Sequence, residues 1–396
     1  VQGNSRIDAL VSESIALLES LVGFDSVSRN SNLPVIAFIE SYLKQHHIYC
    51  TRVPSPDGEK SNLLARIGPE APGGIILSGH TDVVPVDGQP WDSDPFTLLQ
   101  RGDKLFGRGT SDMKSFIAIC LAMAPELAKL KLVKPFWFAF SYDEEVGCLG
   151  APYLLDYIVK NLPRPSFAVI GEPTNMEVVT AHKGVISFET IVTGLEWHSS
   201  QPHLGVNAVH MACELIHFLH GVAKEMPSEG MRDERFNPPH STVHVGVVHG
   251  GTARNIIPRE CIFQWEIRPL PGDDYEVIIA RFKKRSDELM KEMQKICPQA
   301  SIVTQPRSHM SGVTLPADAR TSCQMVMRCA QTNHEHAVSF GTEAGIFNDH
   351  GVPAIICGPG SIEQAHKPNE FIELAQIRSC VEFMLRLTED ESLFTY

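Results

Sequence analysis

His80 and Asp82 follow the apolar run Ile75-Ile76-Leu77-Ser78-Gly79, and Glu144 and Glu145 follow Pro135-Phe136-Trp137-Phe138-Ala139-Phe140. Glu172 follows Phe167-Ala168-Val169-Ile170-Gly171, and His366 comes shortly after Ala354-Ile355-Ile356-Cys357-Gly358. Imidazole nitrogen combined with carboxylate oxygen suits zinc or a similar divalent ion. If these side chains converge, the chemistry they predict is metal-assisted hydrolysis.

Read one at a time, each position keeps a plainer alternative. In His80-x-Asp82 the carboxylate can take one ring N–H and fix the tautomer while the other nitrogen binds metal. A surface turn explains the same pair. Asp112, in Gly107-Arg108-Gly109-Thr110-Ser111-Asp112-Met113-Lys114, stands directly before an apolar helix. It reads either as a first-turn acid favoured by the helix dipole or as a carboxylate shared by two metals. Glu144 and Glu145 are adjacent carboxylates at the end of a very apolar strand, where they repel each other and resist desolvation. A solvated turn relieves both problems; beside other ligands, one would bind metal and the other act as general base. Glu172 is an ordinary turn residue or a ligand, and His366 a loop histidine or a ligand. No GxSxG, GxGxxG or GxxxxGK(S/T) motif is complete, which weighs against serine-nucleophile or phosphate-loop chemistry.

The elements that must position these groups are legible from their periodicity. The apolar runs read as strands of a parallel sheet buried on both faces, and ligands bind beyond the carboxyl ends of such strands. Helical spacing over 8–21, 33–47 and Ser115 to Ala128 alternates with these strands up to about Glu172, the signature of a layered α/β domain. From about Val185 the pattern changes. In Cys261-Ile262-Phe263-Gln264-Trp265-Glu266-Ile267-Arg268 the odd positions are apolar and the even ones mostly polar. This predicts an antiparallel sheet with one face open, accompanied by amphipathic helices over Val206 to Phe218 and Tyr275 to Ile296. Residues 182–306 therefore read as an inserted α+β domain. The first domain, 1–181 and 307–396, is then discontinuous, with His366 in its second segment.

Composition narrows the partners. At 396 residues the chain exceeds the size at which one core usually stops growing. A net charge of −13 argues against nucleic acid and anionic membrane, which need a positive surface. Apolar runs fall well short of the ~20 residues that span a bilayer, and the N-terminus shows no cleavable-signal pattern. The ten cysteines form no CxxC pair, so they read as reduced thiols of a cytoplasmic protein rather than zinc ligands.

Four blocks occur in order: Ser78-Gly79-His80-Thr81-Asp82-Val83-Val84-Pro85, the Gly107–Lys114 segment, Asp143-Glu144-Glu145 and Gly171-Glu172-Pro173-Thr174, followed by the His366 loop. Together they resemble the co-catalytic zinc deacylase and exopeptidase family, which includes acetylornithine deacetylase, succinyl-diaminopimelate desuccinylase, aminoacylase and related carboxypeptidases. The likeness runs over nearly the whole chain. It implies a zinc-exopeptidase-like catalytic domain, a mainly parallel mixed sheet flanked by helices. A ferredoxin-like inserted domain would serve as lid and dimerisation module of a homodimer. It further implies two Zn2+ per subunit, with Co2+ able to substitute. His80, Asp112 and Glu172 would hold one ion, and Asp112, Glu145 and His366 the other. Glu144 would be the base, Asp82 would orient His80, and the Asp112–Met113 peptide would be cis.

In the inserted domain, His198 is similar to the family's lid histidine, which steadies the tetrahedral oxyanion from the neighbouring subunit. Arg268 and Asn255 would grip the substrate α-carboxylate; apart from the resemblance they read as a strand arginine and a turn asparagine. Glu266-Ile267-Arg268-Pro269-Leu270-Pro271-Gly272-Asp273-Asp274, Phe340-Gly341-Thr342-Glu343-Ala344-Gly345 and the His366 loop look most like the acetylornithine-hydrolysing branch. That likeness implies an N-acyl amino acid substrate, with Thr342 and Glu343 as further contacts and Glu343 facing a distal ammonium. A solvated loop acid is the other reading of Glu343. Siblings acting on acetylcitrulline, other N-acyl amino acids, succinyl-diaminopimelate or small peptides remain alternatives. So does a non-catalytic metal-dependent binding protein, although that would not need Glu144.

Overall fold

The computed structural model describes residues 2–390. Short strands made almost wholly of apolar residues form the centre of the first compact unit, which comprises residues up to Thr180, Thr314–His336 and Thr342 onward. Its central sheet runs, edge inward, through Tyr49–Pro54, Ser61–Ile67, Phe136–Ser141, Ile75–His80, Phe167–Ile170 and Ala354–Ile356. The last four are mutually parallel, and the first two join antiparallel. Every residue of Ile75–His80, Phe136–Ser141 and Phe167–Ile170 is buried, as expected of strands covered on both faces. The fold is the mixed, mainly parallel α/β architecture that the alternating pattern predicts.

Helices supply the cover. Lys114–Ala128 is buried along nearly its whole length. Around it pack residues of Gln2–Val22, Leu33–Gln45 and Leu374–Thr388, including Leu18, Leu21, Ile36, Ile39, Phe383 and Leu387. Because the parallel strands share one direction, their carboxyl ends lie along one edge. His80 is the last residue of its strand, and Glu144 and Glu172 follow theirs within three residues. A small antiparallel sheet, Leu99–Arg101, Lys104–Phe106 and Phe371–Glu373, brings the chain just after His366 back beside the chain just before Asp112.

The second unit comprises Ala181–Val313 and Ala337–Gly341. It holds an antiparallel sheet in the order Thr242–Gly250, Glu260–Arg268, Val185–Thr193, Ser301–Met310. In Glu260–Arg268 the buried residues are Cys261, Phe263, Trp265 and Ile267, the alternation read from the sequence. These pack against Ala208–Glu229 and Glu276–Gln294 through Leu215, Leu219, Phe282 and Leu289. The first of these helices continues well past Phe218, to Glu229. Asn207 caps its start by accepting the His210 N–H at 3.0 Å. All ten cysteines are free, and all but Cys50 and Cys213 are buried. Among the described residues no helix is long and apolar enough to cross a membrane.

Candidate metal centre

His80 ends a fully buried strand and is itself 1% exposed. Its Nδ1 lies 2.8 Å from the backbone carbonyl oxygen of Asp82. A carbonyl can only accept, so Nδ1 carries a proton and Nε2 is the nitrogen left to face the site and bind a metal once deprotonated. The Asp82 carboxylate was expected to take that N–H. It stands 3.6 Å away instead, because its oxygens are engaged elsewhere. They accept from Ser28 Oγ at 2.7 Å and from the backbone N–H groups of Glu144 at 3.1 Å and Glu145 at 3.3 Å. Asp82 thus orients His80 through its main chain and fixes the Glu144–Glu145 step through its side chain. Burial works to raise the Asp82 pKa, but these bonds and His80 hold it below the ordinary value.

Asp112 lies between two imidazoles. Its Oδ1 is 3.0 Å from His80 Nε2, and its Oδ2 is 3.5 Å from His366 Nε2. The Asp112–Met113 peptide is cis. Glu172, 4% exposed, approaches His80 Nε2 to 3.9 Å, and its Oε1 has no hydrogen-bond partner. On the other side, Glu145 Oε2 lies 3.0 Å from His366 Nε2. Two sets of ligand atoms are therefore each mutually within 4.8 Å: His80, Asp112 and Glu172, and Asp112, Glu145 and His366. Asp112 belongs to both.

Glu144 belongs to neither set. It follows Asp143, whose left-handed φ of 56° turns the chain sharply at the strand end. The Asp143 carboxylate is held by Lys60 Nζ at 2.6 Å, and Lys60 also donates to the Ser28 carbonyl. Cys148 Sγ sits 3.6 Å from Glu144 Oε1. Neither Lys60 nor Cys148 gave a signal in the sequence, since each acquires its meaning from a partner brought near by the fold.

The electrostatics call for positive charge. Burial, followed by the Glu172 carboxylate, pushes Glu144 well above the ordinary glutamate range. Burial and Asp112 do the same to Glu172, and raise Glu145 to about 7. Burial works against a charged His80, yet the Asp112 carboxylate and the nearby Asp82 carboxylate hold its pKa well above the usual value. The Asp112 and Glu145 carboxylates raise His366 to about 10. Packing four carboxylates this closely without counter-charge is costly, and the unpartnered Glu172 oxygen leaves an acceptor aimed inward. The donor set fits divalent cations, which would satisfy that oxygen and offset the mutual repulsion.

The remaining predicted residues fall in different surroundings. Thr342 and Glu343 are 0% and 1% exposed. Thr342 Oγ1 accepts the Ala344 N–H at 3.1 Å, and Glu343 Oε1 makes no hydrogen bond. Burial raises the Glu343 carboxyl to about 6. This corrects the reading of Glu343 as a solvated loop acid. His198, Asn255 and Arg268 belong to the second unit. His198 is exposed, and its Nδ1 accepts from Ser200 Oγ at 2.7 Å. Its strand segment bridges to Ile256, and the exposed Asn255 accepts the Ser199 N–H at 3.1 Å through its carbonyl. Arg268 ends its strand with Nε 2.7 Å from Glu266 Oε1.

Fold and centre together define a metal-dependent hydrolase. The chain belongs to the Peptidase family M20/M25/M40, whose family model matches residues 76–390. It is 35% identical over 374 residues to an acetylornithine deacetylase of Photorhabdus laumondii subsp. laumondii, covering 92% of this chain and 93% of that one. Over 370 residues it is 35% identical to the acetylornithine deacetylase of Pectobacterium atrosepticum, covering 92% of each. In three dimensions it is similar to the M20 family metallo-carboxypeptidase Sso-CP2 from Sulfolobus solfataricus, with a TM-score of 0.74, 17% identity, and 95% and 98% of the two chains covered.

Proposed function

We propose that the protein hydrolyses N2-acetyl-L-ornithine to acetate and L-ornithine, a step of arginine biosynthesis, as a cytoplasmic homodimer joined through its inserted domain. The observation that carries the substrate assignment is 35% identity over 92% of the chain to relatives of that name. The metal-centre geometry supports the reaction type.

His80, Asp112 and Glu172 would hold one Zn2+, and Asp112, Glu145 and His366 the other. When bound, such ions supply Lewis-acid chemistry, polarising the acyl carbonyl and making a water proton easier to remove. The chain's own residues do the rest. Glu144, free of both ligand sets, takes the proton as water attacks the acetyl carbon. It then delivers that proton to the leaving α-nitrogen as the C–N bond breaks, so that one water is consumed and acetate and amine are released. The Asp82 carboxylate keeps Glu144 and Glu145 in register by holding both backbone N–H groups. His198 of a second subunit donates to the developing oxyanion. Arg268 and Asn255 bind the substrate α-carboxylate, for which Arg268 must share or leave Glu266.

The test is a substrate panel on zinc- and cobalt-loaded protein: N2-acetyl-L-ornithine, acetylcitrulline, acetylmethionine, succinyl-diaminopimelate and a dipeptide. The expected result is the highest kcat/KM on N2-acetyl-L-ornithine. A higher value on any other member reassigns the substrate, and no hydrolysis of any member by metal-replete protein contradicts the reaction class.

A further inference from the structure

Glu370 is 1% exposed, and both its oxygens are fully engaged by the loop that carries Asp112. Its Oε1 accepts the backbone N–H groups of Ser111 at 2.8 Å and Asp112 at 3.0 Å. Its Oε2 accepts the Gly109 N–H at 3.0 Å and Arg108 Nη1 at 2.8 Å. Successive backbone N–H groups converging on one anion form a concave nest, which fixes the chain supplying them. Gly109 permits this loop: its φ is +82°, and a Cβ there would meet Val83 Cγ1 at 2.8 Å.

The same ion pair reaches the other loop. Arg108, fully buried, donates through Nη1 to the Lys367 carbonyl at 3.2 Å and through Nη2 to Gln89 Oε1 at 2.6 Å. Gln89 Nε2 in turn donates to the His366 carbonyl at 2.9 Å. His366 needs such support, since its left-handed φ of 62° and exposed side chain leave it little packing of its own. One buried carboxylate thus ties down Asp112 directly and His366 through Arg108 and Gln89. His80 and Glu145 are held by Asp82 instead.

We infer that Glu370 is a positioning residue for the Asp112–Glu145–His366 set, coupling its two loop-borne ligands so that this set is formed before a cation arrives. The inference rests on the two-cation reading of the centre. It goes beyond that reading in predicting an asymmetry: two ligands of this set depend on Glu370, but only Asp112 does in the His80–Asp112–Glu172 set.

Cobalt titration of metal-free protein, read by visible absorption and equilibrium dialysis, tests it without an activity assay. In Glu370→Gln one of the two cobalt ions should bind about tenfold to a hundredfold more weakly while the other stays within about threefold, the range seen when groups supporting ligands are removed. The ion that remains should give the spectrum of the single-ion form of His366→Ala. Gln89→Ala, a milder change at a partly exposed position, should weaken the same ion by a smaller factor; it decides the matter if Glu370→Gln does not fold. Equal weakening of both ions, or no change in either, would overturn the inference, as would a surviving spectrum unlike that of His366→Ala. Fewer than two ions in the unaltered protein would instead remove the two-cation reading on which it stands.

Discussion

His80 and His366 offer the same imidazole to the same Asp112, from opposite kinds of structure. His80 is the last residue of a fully buried strand, and its ring is pinned by a backbone carbonyl two residues on. His366 sits on a loop in a left-handed conformation, with its side chain 56% exposed. What holds the first is the sheet itself. What holds the second is a relay of side-chain hydrogen bonds through Glu370, Arg108 and Gln89 that ends on the His366 backbone carbonyl. A ligand on a strand end is preorganised by the core, whereas a ligand on a loop needs a clamp of its own.

The largest expected effect leaves both histidines alone. Glu144→Gln should retain both ions yet lose activity by roughly 10²–10⁴-fold, the usual scale for a general base. Near-normal turnover at full metal content would mean that the base lies elsewhere. Next come the histidines themselves. His80→Ala removes a buried side chain and the site it faces, so thermal stability should fall along with metal binding. His366→Ala should lose one ion with a smaller fall in the melting temperature of the metal-free protein than His80→Ala. Equal thermal penalties for the two would erase the contrast between strand and loop.

A smaller effect concerns pH. In metal-free protein Glu145 is raised from 4.5 to about 7 and His366 from 6.5 to about 10. Both folded-state values lie above the unfolded ones, so the folded state binds more protons and loses stability as pH rises through each interval. Asp112, held below its ordinary value by the two histidines against the effect of burial, acts oppositely and only in acid. Bound metal requires deprotonated ligands, so the stabilisation it confers should grow with pH. Melting curves between pH 5 and 9 should show the metal-free and metal-loaded proteins diverging as pH rises; convergence would count against the raised values.

The smallest expected effect is at Glu343. Its burial predicts that Glu343→Gln changes KM for N2-acetyl-L-ornithine and for neutral acetylmethionine in parallel. A selective loss on the ornithine compound of one to two decades, the worth of a charged contact of roughly 1.5–3 kcal/mol, would restore a direct ammonium contact.

Much of this centre could be read from the sequence because the parallel strands are buried on both faces, which leaves uninterrupted apolar runs with polar residues at their ends. The antiparallel unit was legible from the alternation at Cys261 to Ile267. The outer strands Tyr49–Pro54 and Ser61–Ile67 were not: the first buries only Val53 and the second contains Ser61 and Asn62 within a buried run. The clamp was hidden for another reason. Glu370 and Arg108 are 262 residues apart, and Lys60 and Asp143 are 83 apart, so no local pattern records either pair. Asp82 shows a finer limit. Its presence two residues after His80 was informative, but whether the ring meets its carboxylate or its carbonyl depends on the course of the backbone.

The shared carboxylate is the central claim, and metal analysis of Asp112→Ala tests it most directly. If Asp112 belongs to both ligand sets, its removal should weaken both ions together, whereas Glu172→Ala and His366→Ala should each weaken one. An Asp112→Ala protein that folds and keeps one ion at unaltered affinity would contradict the two-cation centre described here.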